Sequence, residues 1–380
     1  MTQSWRVLIA ADKFKGSLTA AEVAEHVTAG IRRVRPGASV VALPVADGGD
    51  GTVDAAVAGG FTPVEVEVTG PLGLPVAARF ALRGETAVVE MAQAAGLVLL
   101  PPGTFAPMTA TTYGAGELIA AALDAGASRV ILGVGGSATT DGGAGMLMAL
   151  GARLLDADGD PLPLGGAPLR ELATADLSAL DPRLKDTEFV LASDVDNPLT
   201  GPTGAASVYG PQKGADPLEV DILDRALAHF AEVLARSEGS RAAELADAPG
   251  AGAAGGIGFG ALLGLRATFR PGIEVLLEVL GFAEALVEAD VVITGEGSLD
   301  EQTLRGKAPA GVAAAARAAG KPVLAVCGRL ALETTPLAEA GIEAAYPLTA
   351  LEPNPQRSIA NAGPLLERVA AQLAEERLAA

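Results

Sequence analysis

Four stretches of the chain set acids, hydroxyls and lysines among glycines: DKFKGS at 12–17, ADGGDGT at 46–52, GVGGSATTDGGAG at 133–145 and TGEGSLDEQTLRGK at 294–307. Each sits just after an apolar run that reads as a strand, or just before a helical pattern. Glycine lets an anion come close to the backbone, and the unpaired N–H groups of a helix start point toward it. Asp12, Asp47, Asp50, Asp141, Asp194, Glu296 and Asp300 all fall in these loops or at strand ends. In an open α/β sheet, the ligand crevice lies outside the carboxyl ends of the strands. Carboxylates there can hold Mg²⁺, accept a hydroxyl proton, or cap helices. Capping competes evenly with function at Asp47, Asp50 and Asp141, which precede helical patterns. Lys13 and Lys15 bracket Phe14 directly after a buried run, and Lys307 occupies a similar place. Lysines so placed act as mobile point charges for phosphates.

Composition narrows what this chemistry can serve. The formal charge is −19 over 380 residues. Nucleic acid is therefore an unsuitable partner, because phosphate backbones need clustered Lys and Arg. A small anion can still be held by a local island of lysines and amides. The single cysteine, Cys327, lies in the apolar run PVLAVCG, which fits a small core residue in a reducing compartment. His26 and His229 are the only histidines and lie in helical stretches away from the glycine loops. Ser-His-Asp catalysis and histidine-rich zinc sites are thereby set aside. No apolar run reaches the roughly 18 residues of a membrane span, and that of MTQSWRVLIAADKF is too short for a secretory leader. A soluble cytoplasmic protein is expected.

The elements that must position these loops follow from periodicity. RVLIAA (6–11) reads as a buried parallel strand, and SLTAAEVAEHVTAGIRRV as an amphipathic helix with Ser17 at its N-cap. SVVALPV (39–45) reads as a second buried strand and DGTVDAAVAGG as a second helix. From about residue 62, TPVEVEVTGPLGLPVAARFAL and ETAVVEMAQ alternate with a period of two, the pattern of antiparallel strands with one wet face. FVLASDV, a long helix at 217–238 and the glycine-rich GAGAAGGIGFGALL (250–263) come later. Buried-strand runs return in ADVVITGEG, KPVLAVCG and EAAYPL. The expected fold is α/β with two domains. Residues 1–62 plus 283–380 would form a doubly wound, Rossmann-like parallel-sheet domain, and 63–282 an inserted mixed α/β domain.

Familiar nucleotide fingerprints fail. There is no G-x-x-x-x-G-K-[ST]; the run GSLDEQTLRGKA has other spacing and Ala308 in the hydroxyl position. One G-x-G-x-x-G occurs, GAGAAG at 250–255, but it follows ADAP and not a buried strand. Protein-kinase motifs are missing as well.

Taken together, ADKFKGSLTAAEVAEHVTAGIRR, PVADGGDGT, GVGGSATTDGGAGMLMALGA, ASDVDNPLTGPTGAA and ITGEGSLDEQTLRGKAP resemble the bacterial glycerate kinase family. The likeness runs in order from the N-terminus to near residue 330. It implies ATP- and Mg²⁺-dependent phosphorylation of D-glycerate, two α/β domains with the second inserted into the first, and a site in the cleft between them. Product 2-phosphoglycerate is implied by the family and by no residue read here. Lys13 departs from the family, many members of which carry Ser there, so Lys15 is the firmer phosphate or substrate ligand.

Phosphoryl transfer needs two anions brought together, in-line geometry and neutralised charge. The roles expected are Asp194, Lys15 and Asp47 in catalysis, with Asp194, at the end of a buried strand, as proton acceptor. Lys13, Ser17, Gly135, Gly136, Ser137, Gly295, Gly297, Ser298 and Lys307 would bind nucleotide or phosphate. Gly48, Gly49, Thr140 and Asn197 would bind substrate, and Asp141, Glu296 and Asp300 the metal. D-G-G-x-G occurs at both 47–51 and 141–145, and the two loops are read as facing walls of one cleft. Two other functions stay open at this point: a kinase for another small hydroxy acid or sugar acid, and a non-catalytic nucleotide or metabolite sensor. Oligomeric state is not legible, with a homodimer as one open assembly.

Overall fold

A computed structural model of the protein describes residues 4–379. The chain divides into two compact units. The first comprises residues to Asp47, Asp54–Gly60 and the chain from Ile273 onward; the second comprises Gly48–Val53 and Phe61–Gly272.

The first unit is built on five parallel strands ordered Ala344–Pro347, Val323–Leu330, Val291–Leu299, Arg6–Ala11 and Ser39–Ala42. Numbered along the chain, this is the doubly wound order 2-1-3-4-5, whose switch point lies between Arg6–Ala11 and Val291–Leu299. Both faces are covered. Val7, Ile9, Ala11 and Ile293 pack with the helices Ala20–Val34 and Ala362–Arg377. Leu8, Ala10, Val292 and Ala325 pack with Gly272–Val279 and Ala308–Ala318. The helix Ala20–Val34 forms because Val23, Val27 and Ile31 recur every four residues on its buried face. Gly30 lets the helix Ala362–Arg377 come close: a Cβ there would lie 2.3 Å from the Glu367 carbonyl oxygen.

Four expectations change here. The helix cap is Thr19, which forms a capping box with Glu22; Ser17 instead donates its hydroxyl to Phe14 O in the preceding turn. The run at 39–45 is strand only over Ser39–Ala42, and Val41 is 49% exposed, because this edge strand has a single neighbour. GEGSL is not loop: Val291–Leu299 continues through it, paired with Val323–Leu330 from Gly295↔Val326 to Leu299↔Leu330. Residues 273–282, expected in the insert, supply Ile273, Leu276, Leu280 and Phe282 to the first unit's core.

The second unit carries a six-stranded mixed sheet ordered Thr268–Arg270, Glu188–Ala192, Arg129–Gly133, Thr86–Glu90, Pro75–Arg83 and Thr62–Thr69. The first four strands are parallel and the last two antiparallel. Val66, Val68, Phe80 and Val89 face a core closed by Leu118, Ile119, Met146, Leu227, Phe230 and Phe259. Phe230 and Phe259 meet edge to face at 5.9 Å.

Candidate active site

Within the first unit, the switch point places Asp12 just past the end of Arg6–Ala11, and Glu296 inside Val291–Leu299 just beyond its last pairing with that strand. Asp12 N donates to Gly295 O at 2.8 Å, and the Asp12 carboxylate accepts from Lys13 N at 2.6 Å. Burial, then the charge of Asp47, pushes the Asp12 carboxyl up to about 7, with Lys13 opposing. Glu296 is 8% exposed and accepts from the Thr303 hydroxyl. Burial also raises its carboxyl; the Thr303 hydrogen bond and Lys307 pull it down, while Asp300 and Asp47 add to the rise. Phe14 is buried, which turns the flanking Lys13 half-exposed and Lys15 fully outward. Gly297 admits this turn: a Cβ on it would lie 3.3 Å from Lys15 N.

Not every expected residue of this unit is available to a ligand. Asp300 is engaged in its own turn, accepting from Gln302 N at 3.0 Å and from the Ser298 hydroxyl at 3.3 Å. The Ser298 hydroxyl also accepts from Arg329 at 3.4 Å. Gly295 and Gly328 serve strand packing: a Cβ on Gly295 would meet Val326 O at 2.3 Å, and one on Gly328 would meet Gly297 O at 2.5 Å. Lys307 begins the helix Ala308–Ala318, with its ammonium 3.5 Å from Gln302 Oε1.

In the second unit, the segment from Gly48 lies across the ends of two strands. A Cβ on Gly48 would sit 2.7 Å from Ala192 O, and one on Gly133 would sit 2.8 Å from Gly48 O. Gly135 is closer still, its would-be Cβ 2.3 Å from Gly49 Cα. The two glycine loops therefore touch backbone to backbone inside one unit, and are not walls facing each other across a cleft. Gly136 is exposed, has φ +69°, and abuts the Asp50 carboxylate, whose Oδ1 would be 1.8 Å from a Cβ.

Behind this tip the loop is sealed. Ser137, Thr139, Thr140 and Asp141 are 5% exposed or less. The Asp141 carboxylate accepts from Thr112 N at 2.8 Å, Thr112 Oγ1 at 2.9 Å, Gly143 N at 3.2 Å and Gly145 N at 3.3 Å. Burial raises its carboxyl and these bonds oppose the rise. Asp141 thus closes the start of the helix Ala144–Ala149, with three of these bonds on Oδ2 and one on Oδ1, and its complete burial works against the metal role expected for it. Thr140 Oγ1 is buried without a partner among the described residues. Asn197 is also committed, its amide donating to Thr203 O at 2.8 Å and accepting from the Tyr209 hydroxyl at 2.7 Å. Asp194 lies exposed two residues past the strand Glu188–Ala192 and accepts from Gly272 N at 2.9 Å.

The Glycerate kinase family profile matches residues 7–377, nearly the whole of this architecture. The chain belongs to the glycerate kinase family. It is 46% identical to the glycerate kinase of Bacillus subtilis (strain 168) over 372 residues, 97% of each chain. It is 44% identical to the glycerate 2-kinase of Escherichia coli (strain K12) over 344 residues, 90% of each. A crystal structure of a Salmonella typhimurium LT2 chain, 43% identical and covered to 98% on both sides, shares the fold with a TM-score of 0.85. The protein is a kinase, and no helix among the described residues is long and apolar enough to cross a membrane.

Two residues of this glycerate kinase family member escape sequence reasoning. Glu90, 3% exposed at the end of Thr86–Glu90, accepts from Gly51 N at 3.1 Å and Val53 N at 3.1 Å, holding the start of the helix Thr52–Ala58. An acid closing the apolar strand TAVVE was its only signal. Lys213, 2% exposed, reaches the buried side of the 133–145 loop, and nothing in PQKG announces it.

A divalent ion fits the first unit better than the second. Glu296, Asp12 and Asp47 repel one another there. No three acids, histidines or cysteines among the described residues group as a metal cage. Mg²⁺ needs no such cage, since it binds through one or two carboxylates and takes its remaining ligands from phosphates and water. Cys327 is buried with its thiol pushed up to about 12, a core residue without thiolate chemistry.

Proposed function

We propose that the protein transfers the γ-phosphoryl group of ATP to the 2-hydroxyl of D-glycerate, giving 2-phosphoglycerate and ADP, with Mg²⁺ as the required cation. The observation that carries this reading is the tip formed by half-buried Gly135 and exposed Gly136, whose amides donate in none of the loop's anchoring bonds among the described residues, on a chain of this family. Bare backbone of this kind receives phosphate or carboxylate oxygens. The outward Lys15, with Lys13 and Lys307, supplies positive charge to the transferred group. Mg²⁺, held by one or two of Asp12, Asp47 and Glu296, neutralises phosphate charge when bound. Asp194, exposed at a strand end, accepts the substrate hydroxyl's proton. The site of action is the cytoplasm, and a homodimer is the assembly put forward, to be checked by light scattering.

The test is a coupled ADP-release assay over D-glycerate, tartronate, gluconate and related acids, with NMR of the phosphorylated product. Preference for D-glycerate and a 2-phosphate product support the reading. Strong preference for tartronate or gluconate overturns the substrate, and ATP binding without turnover on any acid overturns the kinase step. Asp194→Asn is expected to lower kcat by about two orders of magnitude or more with the fold retained; near-normal turnover removes Asp194 from the mechanism.

A further inference from the structure

The glycine loop is fixed from behind by a cation that plays no part in the chemistry described above. Lys213 lies in the short turn Pro211–Lys213, with its whole side chain buried. Its ammonium donates to Ser137 Oγ at 3.0 Å and to the carbonyl oxygen of Thr139. A third element closes on the same point. Ala254, Gly255 and Gly256 take left-handed backbone in succession, with φ of 50°, 76° and 92°. The GAGAAG run at 250–255, which matched a nucleotide fingerprint in spacing only, ends in this turn. Ser137 Oγ lies 3.1 Å from Ala254 O, and Gly142 N donates to Gly255 O at 3.0 Å. A Cβ on Gly255 would lie 1.9 Å from Thr139 O and 2.9 Å from Lys213 Nζ, so glycine is obligatory there. On the opposite side the loop is tied by Leu97 N to Gly136 O at 2.9 Å and Ala138 N to Ala95 O at 2.9 Å.

A buried ammonium is expensive, and hydrophobic packing would be the cheaper way to fill the position. Its two contacts are both with the 137–139 segment. Strain at Ala254 adds a second cost at the same place, and such costs gather where geometry has a use. We infer that Lys213 is a positioning residue for phosphoryl transfer, clamping Ser137 and Thr139 against the left-handed 254–256 turn so that the Gly135–Gly136 amides are held ready for an anion. The inference rests on the kinase reading above for its catalytic consequence, but the clamp itself is a statement about loop order.

Lys213→Met keeps an unbranched apolar stem, one atom shorter, and removes the ammonium. Expected is a folded protein, melting within a few degrees of wild type, whose kcat/KM falls at least about 30-fold. Hydrogen exchange at Ala138 and Gly142 should accelerate tenfold or more while the central strands stay protected. Ser137→Ala removes one of the ammonium's two acceptors together with the Ser137 bond to Ala254 O, and should show the same pattern more weakly; the double variant should fall clearly short of the sum of the two single effects, because the Lys213–Ser137 contact is shared. Unchanged kinetics with unchanged exchange overturns the inference, as do strictly additive effects. A lowered melting point with unaltered kcat and KM in the folded fraction overturns it too, leaving a lysine of structural use alone. Should Lys213→Met not fold, Ser137→Ala carries the exchange and kinetic tests. A wild-type protein inactive on glycerate sinks the functional reading, while the exchange experiment still decides the clamp.

Discussion

Replacing Asp141 by alanine separates two roles that a carboxylate in a glycine loop can play. In the structure its oxygens take four hydrogen bonds from Thr112, Gly143 and Gly145, all out of water. Bonds to a charged acceptor contribute about 1.5 kcal/mol each at the low end, so the raw loss is roughly 6 kcal/mol. Burying the carboxylate costs part of this back, which is why its carboxyl is raised despite four donors. A net loss of about 3–4 kcal/mol remains, and for a unit of some 150–250 residues that is on the order of 10 °C in Tm. Asp141→Asn should lose about half as much: one amide oxygen can still receive most of the donors, while the NH₂ opposes one N–H. Calorimetry or a thermal-shift melt reads both variants, alongside activity titrated with Mg²⁺. An Asp141→Ala protein that melts within about 2 °C of wild type, yet needs far more Mg²⁺ for half-maximal rate, would refute the capping argument and restore the metal role.

Asp12 and Lys213 make opposite predictions for stability against pH. The Asp12 carboxyl is raised to about 7, so the folded state binds more protons than the unfolded chain between roughly pH 4 and 7, and stability falls as pH rises through that window. Asp12→Asn should therefore match wild-type Tm below about pH 4 and exceed it by a few degrees at pH 8, with activity lost. Lys213 is lowered to about 7 by burial, against the pull of Asp141, so the unfolded chain binds the extra proton between about 7 and 10. Wild-type stability should rise with pH across that range by up to about 1.4 kcal/mol per pH unit relative to Lys213→Met, read from urea melts; parallel profiles would contradict the burial of its charge. Gly136→Ala, forced to a positive φ with its Cβ driven into Asp50, should cost about 1–2 kcal/mol in a thermal melt and most of the activity; wild-type kcat/KM would show that the tip geometry is not used.

The parallel runs around 6–11 and 291–299 were legible because continuous apolar stretches state their own burial, and helix 20–34 because its period is local. Glycine misled in one direction. In GEGS it was read as loop freedom, whereas Gly295 and Gly297 are strand residues: the missing side chain of Gly295 lets the neighbouring strand close in at Val326, and that of Gly297 admits the Phe14–Lys15 turn. Asp141 could not be resolved from Asp12 in sequence, since each sits in a glycine loop that follows an apolar run; what distinguishes them is how many donors converge, two of the four coming from Thr112, 29 positions away. Lys213 was invisible for the same reason: its partners Ser137 and Thr139 lie 76 and 74 positions off. Local patterns report burial and turn chemistry, while satisfaction of a buried polar group is settled by distant chain.

The first unit's central strand pair joins Val7 to Val291 and Ala11 to Gly295, chain separated by the whole second unit. During synthesis the hydrophobic run Val7–Ala11 leaves the ribosome with no inner neighbour to pair with, and waits until residues beyond 291 emerge. The second unit, nearly contiguous from Phe61 to Gly272, is complete before then. At about 5–20 residues per second the wait is on the order of 15–60 s. The order of assembly is thereby written into the strand order: insert first, host sheet last, with the N-terminal strand needing protection from aggregation in between.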